Sequence, residues 1–246
     1  MEKLPTAQAQ TVQDSVYTAL RKSIMSLNLA PGTAISENEI SLRYEVSRTP
    51  VREAFIHLSK EGLVQVIPQR ETLVSRIDFR RVKQEWFLRE NLEAATLGPF
   101  INHSTPAHFL ELERLIEQQN IAQERKEYSE FVNFDDCFHR TFFEVAGQML
   151  AWQVLDSMGG HYHRVRILTT RLKGIAPDII IQHKDLLETL RQKNLEGARA
   201  ALAAHLHKLP AEEMVLREKF PDYFVSCTEK DVFNVDFGGL PLTPPV

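Results

Sequence analysis

Apolar residues Val16, Leu20, Ile24 and Leu27 recur three or four positions apart until Ala30-Pro31-Gly32 interrupts them, which predicts a first helix and a turn. Ser36-Glu37-Asn38-Glu39 has the Ser-x-x-Glu form in which serine and glutamate each satisfy an orphan amide, so a short second helix should start there and end near Tyr44. Ser47-Arg48-Thr49-Pro50 predicts a third helix, capped by Ser47 or Thr49, with proline in the first turn where its missing amide hydrogen costs nothing. Val51, Ala54, Phe55 and Leu58 then form one buried stripe, and Gly62 suits the left-handed residue that ends the helix. Two β-prone runs follow, Leu63 to Ile67 and Thr72 to Ile77, joined by Pro68-Gln69-Arg70-Glu71. Three short helices and a hairpin predict a winged helix-turn-helix over residues 12–78, preceded by a polar, unpatterned arm taken as disordered over residues 1–11.

From about residue 80 the pattern becomes helical throughout. Helices are predicted at 80–103, 106–125, 129–147, 149–171, 178–193 and 195–217, with breaks at Ser104-Thr105-Pro106, Gly147, Gly174 to Pro177 and Asn194. The fold class is therefore mainly α: a winged helix-turn-helix domain at 12–78 and an all-α helical bundle at 79–217. Residues 218–246 carry several prolines and glycines without periodicity and read as an extended tail. Phe220, Tyr223, Phe224, Val232 and Phe233 are apolar enough for that tail to pack on the bundle.

Composition narrows the picture. With 43% hydrophobic and 25% charged residues, the 246-residue chain is globular. Its longest apolar runs, such as Ile179 to Ile181, fall far short of the roughly 20 residues a membrane-spanning helix needs. No basic-then-apolar leader opens the chain, so a cytoplasmic location is expected. In a reducing compartment Cys137 and Cys227 are expected as free thiols. The net charge of −4 argues against bulk coating of nucleic acid, and residues 11–78 hold eight basic and eight acidic side chains. Any DNA binding must come from placement.

Such a placement exists. Arg48 and Arg52 lie four apart on the third helix and point together away from the Val51–Leu58 stripe, so both can reach guanine edges or phosphates in a major groove. Thr49 adds a hydroxyl, and Arg70 at the hairpin tip can touch an adjacent groove or the backbone. Two arginines on a helix are also compatible with a solvated face.

A second constellation lies in the bundle. Asp135 and His139 are four apart on a face shared with Val132, Phe142 and Ala146; His183 lies among Ile179, Leu186, Leu187 and Leu190; His205 lies among Ala198, Ala201, Leu202 and Leu209. Singly, each histidine suits a hydrogen-bonded core position. Together, several buried polar groups without partners would each cost on the order of 1–3 kcal/mol, and a divalent metal ion would satisfy all four. Imidazole and carboxylate suit zinc, the leading candidate, as well as nickel, manganese or iron.

The run Ala30-Pro31-Gly32, Ser47-Arg48-Thr49-Pro50-Val51-Arg52-Glu53-Ala54 and Glu61-Gly62-Leu63-Val64 resembles the GntR family of bacterial regulators. Asp135-x-x-Phe138-His139, His183 before Leu186-Leu187, and His205-Leu206 resemble the FCD ligand domain of its FadR subfamily. The resemblance spans residues from about 15 to 210. It implies that Arg48, Thr49 and Arg52 carry operator recognition, with Asn38, Ser47 and Arg70 completing the candidate DNA-contacting set. Two positions depart from the family: Asn38 stands where many relatives have a DNA-contacting arginine, and Glu71 stands where the wing usually has glycine. The resemblance also implies that Asp135, His139, His183 and His205 are the metal ligands and that Arg89 meets the effector carboxylate. Arg164 and Arg166, clustered with His161 and His163, are further effector-contact candidates or surface charges. The function so implied is a homodimer on a pseudo-palindromic double-stranded DNA operator, controlled by a small carboxylate bound at the metal. The alternatives are a metal-dependent hydrolase or lyase of the bundle, and a DNA-binding regulator whose metal is purely structural.

Overall fold

The computed structural model describes residues 11–67, 70–206 and 209–226. Thr11 belongs to the first helix rather than to an arm: its side chain accepts the Asp14 amide at 3.2 Å while Asp14 accepts the Thr11 amide, and α1 (Val12–Met25) follows. The arm's remaining residues lie outside the described range. α2 (Glu37–Tyr44) starts at Ser36, whose hydroxyl accepts the Glu39 amide at 3.1 Å. Its last residue is followed by Glu45 in the left-handed region (φ 55°), a conformation more usual for glycine that turns the chain into α3 (Arg48–Lys60). Ser47 holds the cap position of α3 without a side-chain hydrogen bond.

Val16, Leu20 and Ile24 of α1 pack with Ile40 of α2 and Val51, Ala54 and Leu58 of α3, all at most 1% exposed, into a core of their own. β2 (Val64–Ile67) and β3 (Glu71–Val74) form the expected hairpin with Gln65 opposite Leu73. A third strand, β1 (Ala34–Ile35), pairs with β3 on its other side, giving the antiparallel order β1-β3-β2. Two residues are too short to leave an alternation in sequence.

The second core belongs to the bundle. α4 (Phe79–His103) is capped by Asp78, and α5 (Pro106–Glu124), α6 (Tyr128–Val145), α9 (Ile175–Arg191) and α10 (Leu195–Leu206) wrap around it. Phe100, Phe131, Phe138 and Phe142 fill the centre at 0–1% exposure. Two expectations need correcting. The helix expected at 149–171 is two, α7 (Met149–Met158) and α8 (Gly160–Thr170), because the Gly159-Gly160 pair lets the chain break. α9 begins at Ile175, not 178, because Pro177 sits in its first turn, where no amide is needed. The stretch expected as one helix over 195–217 is helical on both sides of residues 207 and 208, as α10 and as α11 (Leu209–Lys219), and those two residues lie outside the described range.

The start of the tail docks as its apolar content suggested. Phe224 is buried and stacks on Phe79 with ring centroids 4.9 Å apart. Ile77 exchanges backbone hydrogen bonds with it: the Ile77 amide donates to Tyr223 at 2.8 Å and the Val225 amide donates to Ile77 at 2.9 Å. Val232, Phe233 and Cys227 lie outside the described residues; Cys137 is an exposed free thiol. No described helix is long and apolar enough to cross a membrane.

Candidate functional site

Three helices bring together the four predicted ligands. α6 supplies Asp135 and His139, α9 supplies His183 and α10 supplies His205, and one donor atom from each lies within 4.8 Å of the others. The His205 Nε2 is 3.2 Å from His139 Nε2 and 3.3 Å from His183 Nε2, while Asp135 oxygens stand 3.6 and 3.4 Å from the same two nitrogens. Four donors around an ion at about 2.0–2.1 Å would be spaced by about 3.4 Å along the edges of a tetrahedron. The four contacts of 3.2–3.6 Å lie close to that spacing, and all four donors fall within 4.8 Å of one another.

An oxygen stands on the far side of each imidazole. His183 Nδ1 faces Gln119 Oε1 at 2.8 Å, His205 Nδ1 faces Gln182 Oε1 at 3.2 Å, and His139 Nδ1 faces Glu93 Oε2 at 2.7 Å. With Nδ1 donating to the Gln119 and Gln182 oxygens, His183 and His205 present their Nε2 lone pairs, while the Glu93 carboxylate stands at ion-pair distance from His139 Nδ1 without an aligned hydrogen bond. Three Nε2 atoms and a carboxylate therefore converge on one point. That cluster could hold a metal ion, and outer partners of this kind are what orient metal-binding imidazoles. Burial pushes the His183 imidazole down to about 3 and holds His205 well below the ordinary histidine value, so both stay neutral, as ligands must be.

A layer of arginine flanks the cluster. Arg89 donates to Glu93 at 2.6 Å and to Asp135 at 3.3 Å; Arg166 donates to Asp136 at 2.6 Å and also bonds Asp135. Burial alone would raise the Asp135 carboxyl, but Arg166, His139, His183 and Arg89 outweigh it and hold the group well below the usual carboxylate range. Glu93 is likewise lowered, by Arg89 and His139 against its burial. The Tyr162 ring centroid lies 5.8 Å from the Arg89 guanidinium and 5.7 Å from that of Arg166. Beside these groups opens a small cavity of about 50 Å³ that Asp135, His205, Arg89, Arg166, Thr169 and Thr170 share with apolar side chains such as Phe131 and Ile179.

Of the predicted effector contacts, Arg89 and Arg166 meet the cluster and Arg164 does not. Arg164 is fully buried, and its guanidinium donates to the Ser75 carbonyl at 2.6 Å and the Gly160 carbonyl at 2.9 Å, on the side of α8 facing the winged domain. His163 turns to Asp136 at 3.1 Å and His161 accepts the Asp78 amide at 3.1 Å. Sequence reasoning passed over Gln119, Gln182, Asp136 and the approach of Glu93 to His139. Gln119 had a signal: it stands in the apolar stripe Leu112, Leu115, Ile116, Ala122 of α5, where a polar side chain needs a partner.

In the other domain, Ser47, Arg48, Thr49 and Arg52 are exposed at the front of α3, and Arg70 is exposed beside β3. Asn38 of α2 is exposed too, and its Oδ1 accepts from Arg48 Nη2 at 2.8 Å. Arg48, Thr49 and Arg52 lie on the side of α3 turned away from its buried stripe of Val51, Ala54 and Leu58.

Comparison with known proteins agrees with this architecture. Residues 12–74 match the model of bacterial regulatory proteins of the gntR family, and residues 86–208 match the FCD domain. The chain is 33% identical over 215 residues, 87% of its length and 94% of the relative's, to the HTH-type transcriptional repressor RspR of Escherichia coli strain K12. The chain belongs to the GntR family. This GntR member is thus a DNA-binding transcriptional regulator with an FCD domain, not an enzyme, which removes the hydrolase and lyase alternative. It is also 33% identical over 218 residues to an HTH-type transcriptional regulator from an unstable DNA locus of Streptomyces ambofaciens, covering 88% of this chain and 91% of that one. Its fold is that of Escherichia coli McbR/YncC, with a TM-score of 0.73 at 20% identity over 86% of this chain and 99% of that one.

Proposed function

We propose that this GntR regulator holds a divalent metal ion on Asp135, His139, His183 and His205 and senses a small carboxylate bound beside it. The observation that carries the reading is the convergence of three Nε2 atoms and a carboxylate on one point, a donor set suited to a divalent cation. Charge counting supports the ligand class. Glu93, Asp135 and Asp136 face Arg89 and Arg166, a net −1 with the imidazoles neutral; a divalent ion makes it +1, which a monocarboxylate would balance. The bound ion would supply an open coordination position for an oxygen of the ligand. Arg166 and Arg89 would orient that carboxylate, and Thr169 and Thr170 add hydroxyls to the cavity wall. Zinc fits the donor set and spacing best; nickel, manganese and iron share the chemistry.

In the winged domain, Arg48, Thr49 and Arg52 read base edges from the front of α3, with Asn38 holding Arg48, Ser47 at the phosphate backbone and Arg70 on the wing. Two copies of the chain would place two such faces on a pseudo-palindromic operator, and the carboxylate acts by binding the DNA-competent and DNA-incompetent arrangements with different affinity. Arg52→Ala tests the interface. Discrimination between the operator and random DNA should fall by about 1–3 kcal/mol per lost base contact, with metal content unchanged. Unaltered discrimination in a filter-binding or anisotropy titration refutes its role.

A further inference from the structure

We propose that the first turn of α8 is a clasp in which Arg164 ties the interdomain linker to the helix that carries Arg166 into the metal cavity; Arg164 is the positioning residue that relays occupancy of that cavity to the winged domain. The inference rests on the cavity reading above for its input, and on separate residues for its output.

Five hydrogen bonds converge on that turn. Arg164 donates to the Ser75 carbonyl, in the linker between β3 and α4, and to Gly160 at the head of α8. His161 accepts the Asp78 amide at 3.1 Å, a second tie to the linker. Glu85 of α4 accepts the otherwise unpaired first-turn amides of α8, from His161 at 3.0 Å and Tyr162 at 2.7 Å. Gly160 lets the turn close on the winged domain: a Cβ there would stand 2.7 Å from Leu63 Cδ2 and 3.8 Å from Met25 Sδ.

A fully buried guanidinium is expensive, and a well-packed apolar side chain would hold two domains together at no charge-desolvation cost. What arginine adds is direction: it fixes one carbonyl of the linker against one helix. Positions 164 and 166 are about 200° apart around α8, so they face opposite ways, one to the linker and one to Asp135, Asp136 and the cavity. A helix of this length moves as a rod. Any shift of Arg166 when a ligand or ion draws Asp135 away from it is therefore felt at Ser75.

The test is hydrogen exchange of full-length Arg164→Met and Arg164→Lys beside the parent, each metal-free and saturated with Zn²⁺. Folding is checked by circular dichroism. Peptides covering residues 75–79, which contain the Asp78 amide, should exchange about tenfold faster or more in Arg164→Met, as loss of a charged hydrogen bond allows. Arg164→Lys, which keeps charge and one donor group, should fall between. In the parent, Zn²⁺ should slow exchange both in 163–170 and in 75–79; in Arg164→Met it should slow only the former. Equal protection of 75–79 in parent and Met variant, or the same Zn²⁺ response there in both, overturns the clasp. A Met variant that fails to fold leaves the Lys variant to decide: parent-like protection and response in it overturn the proposal. A parent that binds no Zn²⁺ refutes the cavity reading and the relay, while the metal-free exchange comparison still decides whether Arg164 holds the linker.

Discussion

Glu93→Gln probes the metal centre without touching a ligand. Glu93 is fully buried on α4, with Oε2 2.7 Å from His139 Nδ1 and Oε1 2.6 Å from Arg89 Nε. Glutamine keeps the volume and removes the carboxylate that makes His139 a stronger donor. Losing such an outer partner costs about 10–100-fold in metal affinity. Because an ion held by this cluster stabilises only the folded chain, an ion concentration of about 1,000 times the parent's dissociation constant adds about 4 kcal/mol of stability. The same concentration should add only about 1.4–2.7 kcal/mol to the variant. Glu93→Gln also weakens the metal-free protein, since Arg89 keeps only Asp135 and Asp136. The deciding quantity is therefore the increment on metal loading, taken from urea unfolding with and without Zn²⁺ and paired with a chelator competition. An increment equal to the parent's would refute the assignment of Glu93 as the partner that tunes His139.

Two further outcomes follow from the junction between domains. Burial raises the Glu85 carboxyl from 4.5 to about 7, against the α8 amides, Arg81 and Arg164, so the folded chain binds that proton more tightly than the unfolded one. Its contribution is full below about pH 4.5 and is lost as pH rises through about 7, a change on the order of 3 kcal/mol. Glu85→Gln cannot titrate and should gain on the parent across that window in thermal melts; a difference that does not vary with pH contradicts the assignment. Phe224→Ala removes a buried ring stacked on Phe79 and should cost about 3 kcal/mol in denaturant unfolding, whereas a loss below about 1 kcal/mol would mean the tail does not seal the bundle.

Much of this was legible in the chain because local rules and tertiary packing agree. The Val51–Leu58 stripe, Ser36 before Glu39 and the Asp135/His139 spacing each encode one element or one face, and each stands in the structure where the pattern puts it. What escaped depends on contacts between distant segments. β1 exists only because Ala34 and Ile35 meet Leu73 and Thr72. Gln119 and Gln182 matter only through the imidazoles they face. Arg164 and Arg166 look alike in sequence, two basic residues on one helix, and only the 200° between them separates a linker contact from a cavity contact. The glycine pair at 159–160 was a visible breaker inside an apolar pattern, and its use became plain only where Gly160 closes on Leu63.

The metal-to-protein ratio of the purified full-length chain, read by elemental analysis beside His183→Ala, bears most directly on the whole account. The parent, after exposure to Zn²⁺ and removal of excess ion, should retain one divalent ion per chain, and His183→Ala should retain far less while still folding. A parent that emerges metal-free, or a variant that keeps a full equivalent, would contradict a centre built from three imidazoles and Asp135.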